Sequence, residues 1–336
     1  MIKREIQMSK YTTFQTGGPA EYFTIVCNEN ELVEVSKFAH KEKLAITILG
    51  GGSNILVRDL GIEGLVIQNN ITGMSVLREI GDSLVLQVGA GEDLDTLVQY
   101  AVSSDWWGLE NLSSIPGKVG AVPIQNVGAY GVEASDVIQS VTAIHLNTFE
   151  RRTFTNEECL FGYRDSFFKT KEGRVWCIVS VDFMLSKTPK PRLEYQDLAN
   201  VFSSTSPSAA EVREAIIQIR QAKFPDWRIV GTAGSFFKNP IITNEHHKQL
   251  QSQYPQIPSY SVGEDAVKIP LGWILDKVCH LKGVSLGPVG TYAAQALVVV
   301  NHGSATTKDI LSFAEHVSAL VYEKTGIVIE KEVTVI

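Results

Sequence analysis

Ser235 stands in Gly231-Thr232-Ala233-Gly234-Ser235-Phe236-Phe237-Lys238-Asn239-Pro240, between a glycine and two aromatic residues, with Lys238 and Asn239 close behind. A serine so placed can give up a proton when a cation lowers its pKa; unaided it is a poor acid. The same residues also make a tight Gly-Ser turn with no chemistry. The stretch is not a Gly-x-Ser-x-Gly nucleophile elbow, because position 237 is Phe237. A second candidate is Arg164, in Phe161-Gly162-Tyr163-Arg164-Asp165-Ser166. A guanidinium keeps its charge and matches a carboxylate in bidentate geometry, so the turn suits a carboxylate clamp. A surface turn with an Arg164–Asp165 pair is the alternative. Glu330 and Glu332 fall on one face of a final strand expected over 327–336, opposite Ile329, Lys331 and Val333. Two acids there are either solvated or catalytic.

Two glycine-rich stretches must position something larger. Gly50-Gly51-Gly52-Ser53-Asn54 follows an apolar strand expected at 45–49 and leads directly into another at 55–57. Main-chain N–H groups in such a loop can converge on a pyrophosphate; a flexible turn is the other reading. Residues 108–131 hold five glycines (Gly108, Gly117, Gly120, Gly128, Gly131), Pro116 and Pro123, and the small polar residues Ser113, Ser114, Gln125 and Asn126. Interleaved Ile115, Val119, Val122, Ile124 and Val127 make this stretch buried. It reads either as a wrap around a phosphate-bearing cofactor or as a structural crossover with tight turns. Neither common nucleotide motif is present. The third glycine of a dinucleotide fingerprint begun at Gly89-Ala90-Gly91 is Leu94, and Gly117-Lys118 is followed by Val119 where a P-loop needs Ser or Thr.

The chain has 336 residues, enough for two or three domains, with 44% apolar and 20% charged residues, as in ordinary globular proteins. A net charge of −7 argues against a general nucleic-acid binder, and local groups must hold any anionic ligand. Cys27, Cys159, Cys177 and Cys279 show no Cys-x-x-Cys spacing, which speaks against a zinc site or a disulfide scaffold and fits a reducing compartment; no metal is expected. The N-terminal residues lack the apolar core of a signal peptide, and the longest apolar run, near 296–300, is too short to span a bilayer. Cytoplasm is therefore expected, without membrane insertion.

Periodicity places a turn at 16–19 and a strand at 21–26, and a helix over 30–43 with Leu32, Val35 and Ala39 on one stripe. A strand at 84–88 leads into a helix from Asp93, and strands follow at 137–146 and 175–185. Residues 187–207 are rich in Pro and Ser and read as a linker or mobile loop carrying Tyr195. Ser208 and Glu211 form a capping box for a helix ended by Lys223-Phe224-Pro225. Helices are expected over 271–281, closed by Gly283, and over 306–325, closed by Gly326; Gln295 precedes an apolar strand.

Taken in order, Thr13-Phe14 with Gly17-Gly18, Leu49 through Asn54, residues 108–133, Gly162 through Ser166, Gly234 through Pro240, and Glu330-Lys331-Glu332-Val333 resemble the UDP-N-acetylenolpyruvoylglucosamine reductases (UDP-N-acetylmuramate dehydrogenases, MurB). The resemblance runs almost end to end, and the Tyr195 loop matches the longer subtype. It implies an α+β chain with a vanillyl-alcohol-oxidase/PCMH-type FAD-binding fold of two subdomains, 1–70 and 71–205, plus a third α/β substrate-binding domain, 206–325. The strand 326–336 would return near the active site. FAD would be bound non-covalently, since no His lies between His40 and His145 for a link near the first glycine loop. The grips for FAD would be Gly50, Gly51, Gly52, Ser53 and Asn54 on one side. On the other they would be Ser113, Ser114, Pro116, Gly117, Gly120, Gln125, Asn126, Gly128, Ala129, Tyr130 and Gly131.

The resemblance also implies the reaction. NADPH gives a hydride to flavin N5, which delivers it to C3 of the enolpyruvyl group of UDP-N-acetylglucosamine enolpyruvate in peptidoglycan precursor synthesis. Ser235 gives C2 its proton, Arg164 polarises the substrate carboxylate, and Glu332 is its catalytic companion. Tyr163, Tyr195, Lys223, Asn239 and Gln295 match substrate-contacting positions, and a monomer is expected. Two features depart from the family pattern. Thr334 stands where Arg is common, and the sequence stops at Ile336, earlier than in many relatives. The rivals are a sugar or lactone flavin oxidase of the same fold, and a non-catalytic flavin- or sugar-nucleotide-binding protein.

Overall fold

The computed structural model describes residues 1–203 and 206–336. The expected boundary at 205/206 and the middle of the Ser-rich run at 203–208 lie outside the described residues. The chain divides into two compact units, each assembled from separate stretches of sequence. The first takes Met1–Ile6, Ala20–Gly51 and Glu63–Arg220; the second takes Gln7–Pro19, Gly52–Ile62 and Gln221–Ile336.

The first unit is built on two sheets. One has the order Lys3–Gln7, Pro19–Val26, Ile62–Asn69, Ile46–Leu49, the last pair parallel. The other is antiparallel, in the order Arg151–Thr155, Ile138–His145, Trp176–Ser186, Ser83–Gly89, Met74–Ile80. The helix Glu29–Lys41 starts where the Asn28 side chain accepts the Glu31 N–H at 2.9 Å. Its buried Leu32 and Ala39 pack with Leu65, Ile67, Ile144 and Val179, joining strands of both sheets in one core. The helix Leu94–Ser103 buries Leu94, Leu97, Val98 and Ala101 against Leu84, Leu86, Val141 and Phe183 of the antiparallel sheet. Each such fully buried leucine or phenylalanine contributes about 1.5–3 kcal/mol.

Gly89 and Gly91 serve backbone packing. The Gly91 N–H donates to Ile71 O at 2.8 Å, and a Cβ there would stand 2.4 Å from the Asn70 carbonyl carbon. Close main-chain contact explains why the pattern resembles a dinucleotide fingerprint without completing one. The reading of 187–207 as a linker or mobile loop is corrected by the helix Gln196–Val201, which Tyr195 opens. Leu198 is fully buried there with Tyr130, Val212 and Ile216.

In the second unit, an antiparallel sheet runs Gly231–Ser235, Val298–Asn301, Val289–Thr291, Ser285–Leu286. A three-stranded sheet places Ala266–Lys268 between Ile241–Thr243 and Tyr260–Val262. The helix Thr307–Thr325 has the Thr306/Asp309 capping box at its start and Gly326 at φ 67° as its stop. Its Ile310, Phe313 and Val317 enter a core with Phe14, Leu56, Phe236 and Phe237.

Two expected elements change. The helix over 271–281 is the short α segment Leu271–Trp273 running into a π turn, Ile274–Val278. Left-handed His280 ends it, with the Leu281 N–H reaching back to Leu275 O at 2.8 Å; Gly283 lies beyond. The continuous final strand reduces to Thr334–Val335, parallel to Ile55–Leu56, with a single bridge from Lys331 to Phe237.

Candidate active site

In the first unit, residues 108–131 form a wrap whose backbone repeatedly enters the left-handed region, at Ser114 (φ 59°), Gly117 (135°), Asn126 (45°), Tyr130 (50°) and Gly131 (83°). Each non-glycine residue there costs about 1–2 kcal/mol, and such turns direct successive N–H groups to one side. The surrounding structure holds the strain. The Ser114 N–H donates to Asp95 at 2.5 Å, and its carbonyl accepts from Arg220 at 3.1 Å. Arg213 grips Asp95 with two bonds, 2.6 and 3.0 Å. Burial pushes the Asp95 carboxyl up, but the Arg213 and Ser114 bonds outweigh it and hold it below the usual aspartate range. The Asn126 amide reaches Glu133 at 2.7 Å and Gly162 O at 3.2 Å, and its oxygen accepts the Ser135 N–H at 2.9 Å.

Gly50 and Gly51 lie against the middle of this wrap. A Cβ on Gly51 would come 3.1 Å from Gly117 Cα, and one on Gly50 would meet the Lys118 and Ala121 side chains at 3.6 and 3.8 Å. Gly120 is the tightest of the three, since its Cβ would stand 2.7 Å from that of Ala90. Half-buried Tyr163 and Arg164 sit at the Gly128 end. Arg164 donates to Gly128 O at 2.7 Å, and its guanidinium lies 5.5 Å from the Tyr163 ring centre. Arg164 is itself left-handed at φ 54°, with its carbonyl held by Lys169 at 2.7 Å. Tyr195 meets Tyr130 edge-on at 5.3 Å. Asn111 is fully buried beneath Tyr130, and its Oδ1 has no hydrogen-bond partner. Two glycine loops packed together and strained turns suit an extended anionic cofactor.

The second unit gathers Gly52, Ser53, Asn54, Ser235, Asn239, Gln295 and Glu332. Ser235 ends its strand opposite Val298, after a bulge at left-handed Gly234 (φ 74°). Just beyond, the Glu332 N–H donates to Phe236 O at 2.9 Å, and the Lys238 N–H to Glu330 O at 2.9 Å. Asn54 joins this ladder: its side chain donates to Glu332 O at 3.3 Å and its carbonyl accepts the Thr334 N–H at 3.1 Å. Glu332 is half-buried, whereas Glu330 is exposed and pairs with Lys238 at 3.0 Å. Asn239 accepts the Leu271 N–H at 2.9 Å, and Gln295 Oε1 would stand 2.8 Å from a Cβ on neighbouring Gly272. Lys223 closes the helix Ala209–Lys223.

Residues 225–336 match the family model of the UDP-N-acetylenolpyruvoylglucosamine reductase C-terminal domain, and residues 20–147 match an FAD binding domain. Similar curated proteins carry the same reductase name. That of Porphyromonas gingivalis is 38% identical, covering 99% of this chain and 98% of its own, and that of Bdellovibrio bacteriovorus is 41% identical, covering 98% of each. The chain belongs to the UDP-N-acetylenolpyruvoylglucosamine reductase family. The crystal structure of the Thermus caldophilus reductase shares the fold, with a TM-score of 0.71, 24% identity, and coverage of 100% of this chain and 99% of that one. The chain thus has the α+β FAD-binding fold of this reductase family. No helix among the described residues is long and apolar enough to cross a membrane, and none of their His, Cys, Asp and Glu side chains form a metal-holding group of three or more.

Against this reductase framework, the residues that the sequence did not single out are supports. Asp95, Arg213, Arg220 and Asn111 carry no local motif, and their partners lie far along the chain; Glu110 bonds locally. Glu110 is 1% exposed and accepts the Gly108 N–H at 2.6 Å. Burial raises its pKa, only partly offset by the Gly108 hydrogen bond and other backbone donors. A carboxyl raised on folding binds its proton more tightly in the folded chain. Its contribution to stability is therefore full below the ordinary glutamate range and declines as pH rises through the raised value. Glu110→Gln is expected to gain stability relative to the wild type as pH rises from 5 to 8, read from urea midpoints. A difference that does not change with pH would contradict this.

Proposed function

We propose that the chain is an NADPH-dependent flavoenzyme that reduces UDP-N-acetylglucosamine enolpyruvate to UDP-N-acetylmuramate. The observation that carries the reading is the second unit's short ladder, which puts Ser235 one residue from the Phe236 carbonyl that accepts the Glu332 N–H, with Asn54 on the Glu332 carbonyl. A non-catalytic binding protein has no need of a half-buried acid beside a serine on a rigid strand. Bound FAD supplies hydride transfer from NADPH to C3 of the enolpyruvyl group; the protein supplies placement and charge.

The residues proposed to hold FAD are Gly50 through Asn54, Ser113, Ser114, Pro116, Gly117, Gly120, Gln125, Asn126 and Gly128 through Gly131. Arg164 turns its permanent charge to the substrate carboxylate, where negative charge grows, a placement typically worth a few kcal/mol. Ser235 holds the proton destined for C2 on its Oγ, and Glu332 is the catalytic companion of Arg164. Tyr163, Tyr195, Lys223, Asn239 and Gln295 bind and orient the sugar nucleotide. In this reading residues 1–70 and 71–205 serve FAD, residues 206–325 serve the substrate, and residues 326–336 return to the active site. The enzyme acts as a cytoplasmic monomer.

The test is product identity under anaerobic conditions. The reading predicts that NADPH is consumed beyond one equivalent per bound flavin only when the enolpyruvyl nucleotide is present, giving a product heavier by two hydrogens. NADPH consumption that requires oxygen, with the nucleotide unchanged, would favour an oxidase instead.

A further inference from the structure

Asn111 lies outside every role assigned above. It is 0% exposed, and its Nδ2 donates two bonds, 2.8 Å to Tyr130 O and 2.9 Å to Arg192 O. Both neighbours are carbonyl acceptors, so only the NH2 end of the amide can face them. The opposite atom, Oδ1, is left without a partner. An apolar residue of the same size would bury without an orphaned oxygen, but could not hold two carbonyls.

The two acceptors belong to different segments. Tyr130 is a left-handed residue of the wrap, at φ 50°. Arg192 is at the root of an arm that runs through Tyr195 into the helix Gln196–Val201. The wrap is tied down elsewhere: the Val119 N–H to Glu92 O at 2.9 Å, the Gly120 N–H to Ala90 O at 2.8 Å, and the Ala134 N–H to Val127 O at 2.8 Å. The arm has no helix or strand between residues 187 and 195. It is seated by the Ser186–Thr188 bonds at its start, by Asn111 at Arg192, by the Tyr195–Tyr130 edge contact, and by Leu193 and fully buried Leu198. Loss of the Asn111 amide therefore falls on the arm.

We infer that Asn111 is a positioning residue: one amide holding the carbonyls of Tyr130 and Arg192 seats the arm on the wrap and sets where Tyr195 stands for the sugar nucleotide. This rests on the proposed role of Tyr195 in substrate binding.

The anchor can be read without any substrate, because the held carbonyl belongs to a trypsin site, Arg192–Leu193. In the holoprotein, Asn111→Ala and Asn111→Asp should speed cleavage there about 10-fold or more relative to the exposed Lys171–Glu172 site. The KM for the enolpyruvyl nucleotide should rise about 10-fold, with kcat and the rate of flavin bleaching by NADPH within about 3-fold. Unchanged cleavage overturns the anchor, and faster cleavage with unchanged KM overturns the positioning role. If the Asn111 variants fail to hold FAD, Leu198→Ala loosens the arm without touching the wrap's backbone bonds. It must raise the same KM, and an unchanged value overturns the proposal. A wild-type protein that does not turn over the nucleotide counts against the functional reading, while the trypsin comparison still decides the anchor.

Discussion

Replacing Ser235 by alanine should leave FAD bound and its absorbance still bleached by NADPH, while turnover of the enolpyruvyl nucleotide falls about 10²-fold or more. The backbone gives no reason for the fold to change. The left-handed position is Gly234, not Ser235, and the strand is held by main-chain pairing with Val298 and Val300. Alanine fits wherever serine did, and a half-buried substitution of this kind costs about 0.5 kcal/mol. What is lost is the hydroxyl that carries the proton for C2. Stopped-flow spectra with NADPH and then with the enolpyruvyl nucleotide separate the two halves of the reaction. Unchanged turnover would remove Ser235 from the mechanism.

Gly52→Ala should be strongly destabilising, because the added methyl group meets main chain on a loop of the second unit. Gly52 is left-handed at φ 65°, and a Cβ there would stand 2.0 Å from Tyr11 O and 3.0 Å from Thr12 Cα. Both are backbone atoms, so no side chain can swing away. Left-handed strain of about 1–2 kcal/mol adds to an overpacking cost of about 1–3 kcal/mol. The loop is also tied to its neighbours, since its carbonyl accepts the Thr13 N–H at 3.1 Å and the Thr13 carbonyl accepts the Thr232 N–H at 3.0 Å. Displacing Gly52 therefore disturbs the strand that carries Ser235 as well as the glycine loop. Gly81→Ala is the control: φ is 56°, but nothing lies within 4 Å of the added carbon. Urea denaturation should show Gly52→Ala losing at least about 1 kcal/mol more than Gly81→Ala, the difference being the clash. Equal losses would mean that the loop relaxes freely, which its role as a fixed grip does not allow.

Local chemistry was legible wherever it is local. Ser208 and Glu211 announced a capping box four residues long, and the bonds form: the Ser208 N–H reaches Glu211 at 2.8 Å, and the Glu211 N–H reaches Ser208 Oγ at 3.3 Å. Gly326 stops its helix for the same reason. The helix Gln196–Val201 was hidden, because Pro and Ser dominate its neighbourhood and its one fully buried anchor, Leu198, finds partners as far away as Tyr130. The early end at Val278 was hidden because a π turn changes the helical repeat that periodicity assumes.

The site divides in the same way. Glycine spacing pointed to the two loops, but residue chemistry alone left Ser235, Arg164 and Glu332 with inert alternatives. Their roles come from resemblance to the reductase family. Asn111 was out of reach, since the carbonyls it holds lie 19 and 81 residues away.

The central claim is tested most directly by an anaerobic visible spectrum of the purified protein, taken first alone, then after one equivalent of NADPH, then after the enolpyruvyl sugar nucleotide. The account predicts a flavin band that bleaches with NADPH and returns with the nucleotide. A band restored only by oxygen, or a protein that neither copurifies with flavin nor binds added FAD, would contradict it.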